Sequence, residues 1–417
     1  MPTIKRLSAL EILDSRGRPT VSATCELLSG ARGAASVPSG ASTGASEALE
    51  LRDGDLARYE GLGCRKAVAH INEEIARHLA GTSFSSQAEL DRALIDLDGT
   101  PNKSRLGANA ILAVSLAFAR ASATGAQQPL HQYFAGIIPL DGLRLPRLTV
   151  NLFSGGKHAG NQVPIQDVLL CPLVSTSISE SLEMVYKVYQ TAAREILKRY
   201  GMRLLRADEG GLAPPCQSID EMLTLATECI HIAGYRPGSD VALAIDVASS
   251  HFYNNGLYDL GNEQLTSLQM IDRLEHWIDA YPINSLEDGL AEDDWQHWPH
   301  LNGRLGTRCL ILGDDLLCTN PVRIQRAGET RSANALLLKV NQIGSLTEAA
   351  ESYRLARSFG WKVTVSARSG ETEDNWLADL ATGWQADQIK IGSITQSERL
   401  SKYNRLLEIE RDTKLYL

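Results

Sequence analysis

Four short apolar runs between residues 241 and 339 each end on a charged residue, and this pattern limits the fold more than any other. Three runs end on the acids Asp246, Glu287 and Asp314, and the fourth ends on Lys339. Short apolar runs separated by helical segments predict buried parallel strands. The carboxyl ends of such strands form the active-site face of α/β barrels. One polar residue where a strand meets a loop is unremarkable, but four in succession predict a site.

Three carboxylates that meet at one end of a barrel repel one another unless a cation lies between them. Carboxylate oxygens are hard ligands of the kind that Mg²⁺ prefers. The pattern therefore predicts a magnesium site with a lysine beside it.

The remaining segments predict how the barrel closes. Strands at 148–152 and 168–171 are joined by a loop without a helix, which favours an antiparallel pair. The second strand then begins at the same end of the barrel where the others finish, so Asp167 is expected to face the three acids. Two helices and six strand–helix units follow, giving the order ββαα(βα)₆ and the eight strands that a barrel requires.

The first 140 residues predict a separate α+β domain, and residues 143–417 the barrel. Strands are expected at 4–12 and 19–28 and in a third segment through Val37, with helices at about 57–80, 86–97 and 105–122. Residues 38–44 are small and form a loop whose amides and hydroxyls suit an anion or a metal. The alternative, on composition, is a plain flexible linker.

The net charge, the cysteine spacing and the lengths of the apolar runs argue against several classes of partner and location. A net charge of −9 argues against binding to nucleic acid or to an anionic membrane. The seven cysteines are scattered without C-x-x-C spacing, which favours a reducing compartment and no zinc site. No signal-peptide pattern opens the chain, and no apolar run reaches the roughly 20 residues of a membrane span, so we expect a cytoplasmic protein.

Many short motifs resemble those of the enolase family. The most specific are Ser39-Gly-Ala-Ser-Thr-Gly44, Leu338-Lys-Val-Asn-Gln-Ile-Gly344 and Arg368-Ser-Gly-Glu-Thr-Glu-Asp374. Further matches are Asp14-Ser-Arg-Gly17, Glu47 to Asp55, Leu97 to Thr100, Leu106 to Leu112, Asp208 to Gly211, Asp314-Asp-Leu316 and Ser397 to Leu400. The resemblance covers essentially the whole chain. It implies a small α+β domain followed by an enolase-type barrel, in agreement with the predicted order of elements.

The resemblance also implies chemistry and site residues. Enolases dehydrate 2-phosphoglycerate to phosphoenolpyruvate with two Mg²⁺ ions, and they are commonly dimers or larger homo-oligomers. The implied roles are Asp246, Glu287 and Asp314 for the first metal, Ser42 for the second, Lys339 as the base, Lys390 for the substrate carboxylate, Arg368 and Ser369 for the phosphate, and Glu209 for departure of the hydroxyl group. A lysine with one or two Mg²⁺ ions is the general base pattern of this superfamily. A salt bridge to Asp314 or Glu287 is the structural alternative for Lys339.

The departures from the family gather around the leaving group and the phosphate. Ala367 stands where enolases have a histidine, Asp167 where they have a glutamate, and Lys157 where they have a serine, before His158. Ala207, Gly289 and Ile391 also differ from the usual glycine, proline and threonine. One positioned acid–base group contributes roughly 10²–10⁴ in rate, so these changes predict a changed substrate more readily than an unchanged one.

The direction of the changes favours a larger and more anionic substrate than 2-phosphoglycerate. Ala367 opens space, and Lys157 adds positive charge. A branch of the family in phosphonate antibiotic pathways, the carboxyphosphonoenolpyruvate synthases, dehydrates 2-phosphonoformylglycerate, whose phosphorus bears an additional carboxylate. We expect Lys157 or Arg368 to hold that carboxylate, and Glu209, with Asp167 or His158, to act as the acid. For Lys157 the alternative is a solvated loop residue. For the protein, the alternatives are an ordinary enolase and an inactive binding or scaffold protein.

Overall fold

The computed structural model describes residues 1–40, 44–201, 205–261 and 263–417. The N-terminal part is a three-stranded antiparallel sheet covered by helices, as the sequence predicts. Its elements are β1 (Ile4–Leu13), β2 (Pro19–Leu27), β3 (Arg32–Ser36), α1 (Arg65–His70), α2 (Ala76–Leu79), α3 (Gln87–Asp98), α4 (Ala108–Gly125) and α5 (Leu130–Ile137), with a π-helical turn at Ile71–Ile75.

The rest of the chain forms the barrel and its helices. The elements are β4 (Arg147–Ser154), β5 (Asp167–Pro172), α6 (Ile178–Tyr200), α7 (Ile219–Ile232), β6 (Val241–Asp246), β7 (Tyr253–Asn254), β8 (Leu257–Asp259), β9 (Gln264–Leu265), α8 (Ser267–Ala280), β10 (Ile283–Glu287), α9 (Trp298–Leu305), β11 (Leu310–Gly313), α10 (Pro321–Thr330), β12 (Ala335–Leu338), α11 (Val340–Ile343), α12 (Leu346–Ser358), β13 (Lys362–Ser366), α13 (Trp376–Gly383), β14 (Gln388–Gly392) and α14 (Ser397–Thr413).

Eight strands close the barrel in the order β4, β5, β6, β10, β11, β12, β13, β14. The strand β5 is antiparallel to both of its neighbours, while the other pairings are parallel. Asp167 at the start of β5 pairs in register with Asp246 at the end of β6. The predicted fold class is therefore confirmed, including the reversed second strand.

Side chains alternate between the two faces of each strand, and this explains why charged side chains point into the barrel mouth. Along β6 the outer residues Leu243 and Ile245 join the main core, whereas Ala242 and Ala244 form a separate cluster with residues of β5. Since successive side chains point to opposite faces of a strand, Asp246 continues the inner row of Ala242 and Ala244. The inner row of β12 continues in the same way to Lys339.

One predicted helix, at 57–80, is wrong at its beginning. The helical segment starts only at Arg65, because the Asp53 carboxylate accepts hydrogen bonds from the backbone N–H groups of Arg65 and Lys66. These are the N–H groups that a helix leaves unpaired at its start. The cap comes from twelve residues upstream, so no local capping motif reveals it. The helix α5 and the small sheet of β7, β8 and β9 were not predicted.

Polar contacts fasten the N-terminal domain to the barrel helices. The buried Asp91 of α3 accepts hydrogen bonds from the backbone and hydroxyl of Thr347, and the Nζ of buried Lys103 lies 2.8 Å from Glu348. All seven cysteines are buried as free thiols. Within the described parts of the chain, no helix has both the length and the apolar character that a membrane crossing needs.

Candidate active site

Lys390, the middle residue of β14, lies between two of the predicted metal ligands. Its Nζ is 2.8 Å from Asp246 Oδ2 and 2.7 Å from Glu287 Oε2, and all three side chains are nearly inaccessible to solvent. Burial and the neighbouring Asp246 carboxylate raise the pKa of Glu287 well above its ordinary range. Burial acts in the same sense on Asp246, but Lys390 outweighs it and lowers the pKa of Asp246 to about 2. One ammonium group therefore does not balance these two carboxylates.

Lys339, the predicted base, forms an ion pair with Asp314, the third predicted ligand. The salt bridge that is the structural alternative for this lysine is therefore present. Burial lowers the pKa of Lys339, but Asp314 and Glu287 outweigh burial, and the pKa lies above its ordinary value. A lysine acts as a base only when its pKa falls toward the working pH. For Lys339 to do so, another cation has to take up the negative charge of Asp314.

His158 joins two acids in a buried cluster on the β5 side of the mouth. Its Nδ1 lies 3.0 Å from Asp167 Oδ2, and its Nε2 lies 4.0 Å from Glu209 Oε1. Asp167 also accepts a hydrogen bond of 2.6 Å from the Ser154 hydroxyl. Burial lowers the pKa of His158, but Asp167 and Glu209 outweigh burial and raise it to about 9. The imidazole therefore carries a proton at neutral pH.

The two residues predicted to bind the phosphate follow β13. The Arg368 guanidinium donates to both carboxylate oxygens of Glu47, at 3.1 and 3.2 Å. Arg16 donates to the Ser369 hydroxyl at 3.3 Å. The buried Arg399 donates to the carbonyl oxygens of both Arg368 and Ser369, which fixes their backbone. Both side chains are thus held by residues of the N-terminal domain, and both carbonyls by α14.

One small cavity connects most of the predicted residues. Its volume is about 20 Å³, close to that of one water molecule. Ala367 and Ile391 both lie in its wall, so this part of the wall is apolar where the family pattern has a histidine and a threonine. Lys157 is exposed to solvent and does not line the cavity. Its lining residues are His158, Gln166, Glu209, Asp246, Lys339, Ser366, Ala367, Arg368, Ser369, Lys390 and Ile391.

The side chains present fit a bound cation. Asp246 and Glu287 are two carboxylates, but Lys390 supplies only one positive charge. In agreement, the pKa of Asp246 is lowered while that of Glu287 is raised. Gln166 donates from Nε2 to Asp246 at 3.1 Å, but within the described residues its buried Oε1 has no hydrogen-bond partner. Buried acceptors in native proteins are nearly always paired, so this oxygen is available to a ligand. Ser42, predicted for the second metal, lies outside the described residues.

Two groups of described residues bring possible ligand atoms within 4.8 Å of one another, and they are not the predicted set. They are His158 with Asp167 and Glu209, and Asp288 with Asp314 and Asp315. Asp288 accepts hydrogen bonds from the backbone N–H groups of Asp314 and Asp315, at 2.9 and 2.8 Å. These bonds account for its position without a metal. In the predicted set, Lys390 pairs with Asp246 and Glu287, and Lys339 pairs with Asp314.

Sequence reasoning missed two contributors, Glu47 and the side-chain role of Gln166. Glu47 belongs to one of the enolase-like motifs, but it is 321 residues away from Arg368. Gln166 precedes Asp167, and the sequence pattern indicates it only as the start of a strand. The resemblance marked the segment of Glu47, but it did not indicate which atoms that residue contacts.

Comparison with known protein families agrees with this architecture. The family model described as the enolase N-terminal domain matches residues 4–134. The model described as the enolase C-terminal TIM barrel domain matches residues 143–414. Together the two matches cover nearly the whole chain, and their order is that of the sheet domain and the barrel. The chain therefore belongs to the enolase family.

Proposed function

We propose that this protein is a magnesium-dependent dehydratase that removes a proton next to a carboxylate and then eliminates water. The observation that carries the proposal is the placement of Lys339 and the His158 cluster. Lys339 follows β12 and Asp167 begins β5, four strands away in a barrel of eight. The residues that we propose as base and acid therefore lie on opposite sides of the mouth, and Lys339, His158 and Glu209 line the same cavity.

In the proposed reaction, Lys339 takes the α proton and the electron pair of the C–H bond moves toward the carboxylate. The bond to the β-hydroxyl group then breaks, a carbon–carbon double bond forms, and the departing oxygen receives a proton to leave as water. Protonated His158, with Glu209 beside it, supplies that proton. Two Mg²⁺ ions, when bound, offset the double negative charge of the intermediate. Asp246, Glu287 and Asp314 would hold the first of them.

Lys390 has two alternative partners in this proposal. It pairs with Asp246 and Glu287 in the protein alone. Once those carboxylates have another cation, the Lys390 ammonium is free to bind the substrate carboxylate. Arg368 and Ser369, on the same cavity, suit the phosphorus-bearing group because they offer a guanidinium and a hydroxyl.

For the substrate, we favour 2-phosphonoformylglycerate, which would give carboxyphosphonoenolpyruvate. Support comes from Ala367, which leaves room where the family has a bulkier imidazole. Arg368 lines the cavity beside Ala367, whereas Lys157 does not. Of the two candidates for binding the additional carboxylate, Arg368 is therefore the better supported. Ordinary enolase activity on 2-phosphoglycerate is the alternative, and an inactive scaffold is the alternative of another class.

The test is to offer the purified protein with Mg²⁺ both substrates in parallel and to follow the products by phosphorus NMR. We expect turnover of 2-phosphonoformylglycerate and slow or no turnover of 2-phosphoglycerate. The opposite preference would support an ordinary enolase, and no turnover of either compound would support the scaffold. The matched control is Lys339→Ala, which should lose exchange of the α proton with deuterated solvent. Normal exchange in that variant would exclude Lys339 as the base.

A further inference from the structure

Arg368, the guanidinium nearest to the proposed anion site, is bound by a carboxylate of the protein itself. Both oxygens of Glu47 accept hydrogen bonds from it, in a bidentate arrangement. The Arg368 side chain is 3% exposed and that of Glu47 is 8% exposed, so the pair lies in a poorly solvated region. Charges in such a region interact more strongly than they do in water. Asn341 Oδ1 accepts a further hydrogen bond from Arg368, at 2.9 Å.

Glu47 is itself held in place. Its Oε1 accepts a hydrogen bond of 3.1 Å from the backbone N–H of Gly44, and Gln342 Nε2 lies 3.4 Å from the same oxygen. The residues around it are anchored to the barrel. The Ala45 N–H donates to Glu292, Arg323 donates to the Ser46 hydroxyl, and the Ala48 N–H donates to the carbonyl of Gln342. Glu47 therefore belongs to a segment that several hydrogen bonds anchor to the barrel.

This arrangement changes the charge that an incoming anion meets. Burial lowers the pKa of Arg368, but Glu47 and Asp314 outweigh burial and raise it further above its ordinary value, so the arginine stays charged. Its positive charge is nevertheless already matched by the fixed carboxylate of Glu47. An anion bound by Arg368 shares the guanidinium with Glu47 and is repelled by it.

We infer that Glu47 is a specificity-determining residue that weakens anion binding at Arg368, because its own carboxylate already occupies the guanidinium. The inference rests on the proposed role of Arg368 in anion binding. Glu47 limits the affinity of the site for dianionic groups and thereby keeps an anionic product from being held too tightly. A residue that only supported the structure would act in the opposite direction, because its loss would loosen Arg368 and weaken binding.

The experiment is calorimetric titration of inorganic phosphate into the protein in the presence of Mg²⁺. Glu47→Gln keeps the shape and one acceptor for Arg368 but removes the charge, and it should bind phosphate about tenfold more tightly. The matched control is Glu292→Gln, which alters another acid that anchors the same segment without touching Arg368. Its phosphate affinity should equal that of the unaltered protein. Unchanged or weaker phosphate binding by Glu47→Gln would overturn the inference.

A second variant separates this inference from the proposed function. Arg368→Met should weaken phosphate binding, and adding Glu47→Gln to it should then have no further strengthening effect. If Arg368→Met binds phosphate as well as the unaltered protein, Arg368 is not the anion-binding residue and that part of the proposed function fails. If Arg368→Met weakens binding while Glu47→Gln changes nothing, only the role of Glu47 fails. Circular dichroism of each variant checks that the fold is retained, and Arg368→Lys replaces Arg368→Met if it is not.

Discussion

Several ionisable residues in this barrel mouth are buried, and their burial costs free energy. Taking a charged group out of water costs several kcal/mol unless good partners compensate. Asp246, Glu287 and Lys390 are all nearly fully buried, and one lysine serves both acids. The raised pKa of Glu287 reflects this shortage of positive charge. Apolar side chains of similar volume would avoid this cost. The proposed cation would supply the positive charge that these acids lack.

The stability of the protein should depend on the protonation of His158. The pKa of His158 is about 9 in the folded protein, above its ordinary value of 6.5. Its imidazolium therefore stabilises the fold fully below about pH 6.5, and this contribution is lost as the pH rises through 9. Between pH 7 and 10 we expect a loss of about 2–3 kcal/mol in the free energy of unfolding. Urea unfolding across this range measures the loss.

The control for this prediction is His158→Gln, which has no proton to lose. Its free energy of unfolding should fall less between pH 7 and 10 than that of the unaltered protein. Equal pH dependence of the two proteins would show that His158 does not retain its proton. NMR of the nine histidines gives a direct check, because one imidazole should titrate near pH 9.

At the scale of elements, the direction of β5 decides which residues reach the site. If β5 ran parallel to its neighbours, Asp167 would lie at the opposite end of the barrel. Because β5 is reversed, its first residue pairs with the last residue of β6. The short loop from β4 then places His158 against Asp167. The acid cluster is thus a consequence of a connection that contains no crossover helix.

The packing of β3 on α4 gives a prediction about Gly33. A Cβ atom at this position would lie 2.3 Å from the backbone nitrogen of Ala121 and 2.5 Å from the carbonyl oxygen of Ala117. Both neighbours are backbone atoms, so they cannot move without shifting the helix. We expect Gly33→Ala to lower the free energy of unfolding by about 1–3 kcal/mol, as measured by chemical denaturation.

Gly303 provides the matched control for Gly33→Ala. It lies in the exposed part of α9, and a methyl group added to it would have no atom of the described residues within 4 Å. Because alanine favours a helix over glycine, Gly303→Ala should raise the free energy of unfolding by about 0.5–1 kcal/mol. A Gly33→Ala protein as stable as the unaltered one would contradict the close packing of β3 on α4.

At the scale of the whole molecule, the N-terminal domain completes the site that the barrel begins. Arg16 and Glu47 contact Ser369 and Arg368, and Lys103 ties the same domain to α12. The barrel alone would present the two proposed anion-binding side chains without these partners. Binding and stability should therefore be linked across the two domains.

Magnesium should stabilise the entire protein against heat. A ligand that binds only the folded state adds about 2.7 kcal/mol at a concentration one hundred times its Kd. We expect the Tm to rise with Mg²⁺ concentration and to fall again when a chelator is added. Asp246→Asn, which removes one predicted ligand, should lose most of this rise. A Tm of the unaltered protein that did not respond to Mg²⁺ would count against a metal site at these carboxylates.

The sequence by itself determined the strands of the barrel, the reversal of β5 and the residues at the strand ends. These features follow from local rules: side chains alternate along a strand, and a parallel connection needs a long crossover. The positions of Asp246, Glu287, Asp314 and Lys339 at one end of the barrel were predictable for this reason. The enolase-like motifs extended the prediction to Arg368, Ser369 and Lys390.

Only the tertiary structure decided which side chains meet. Lys390 pairs with acids more than 100 residues before it, at separations of 144 and 103 residues, and Glu47 binds Arg368 from 321 residues away. The exposure of Lys157 and the cap that Asp53 provides for Arg65 also depend on how the folded chain packs around them. Hydrogen bonds and ion pairs of this kind depend on positions that the packing of whole elements sets to within an ångström. Local patterns carry no information at that precision.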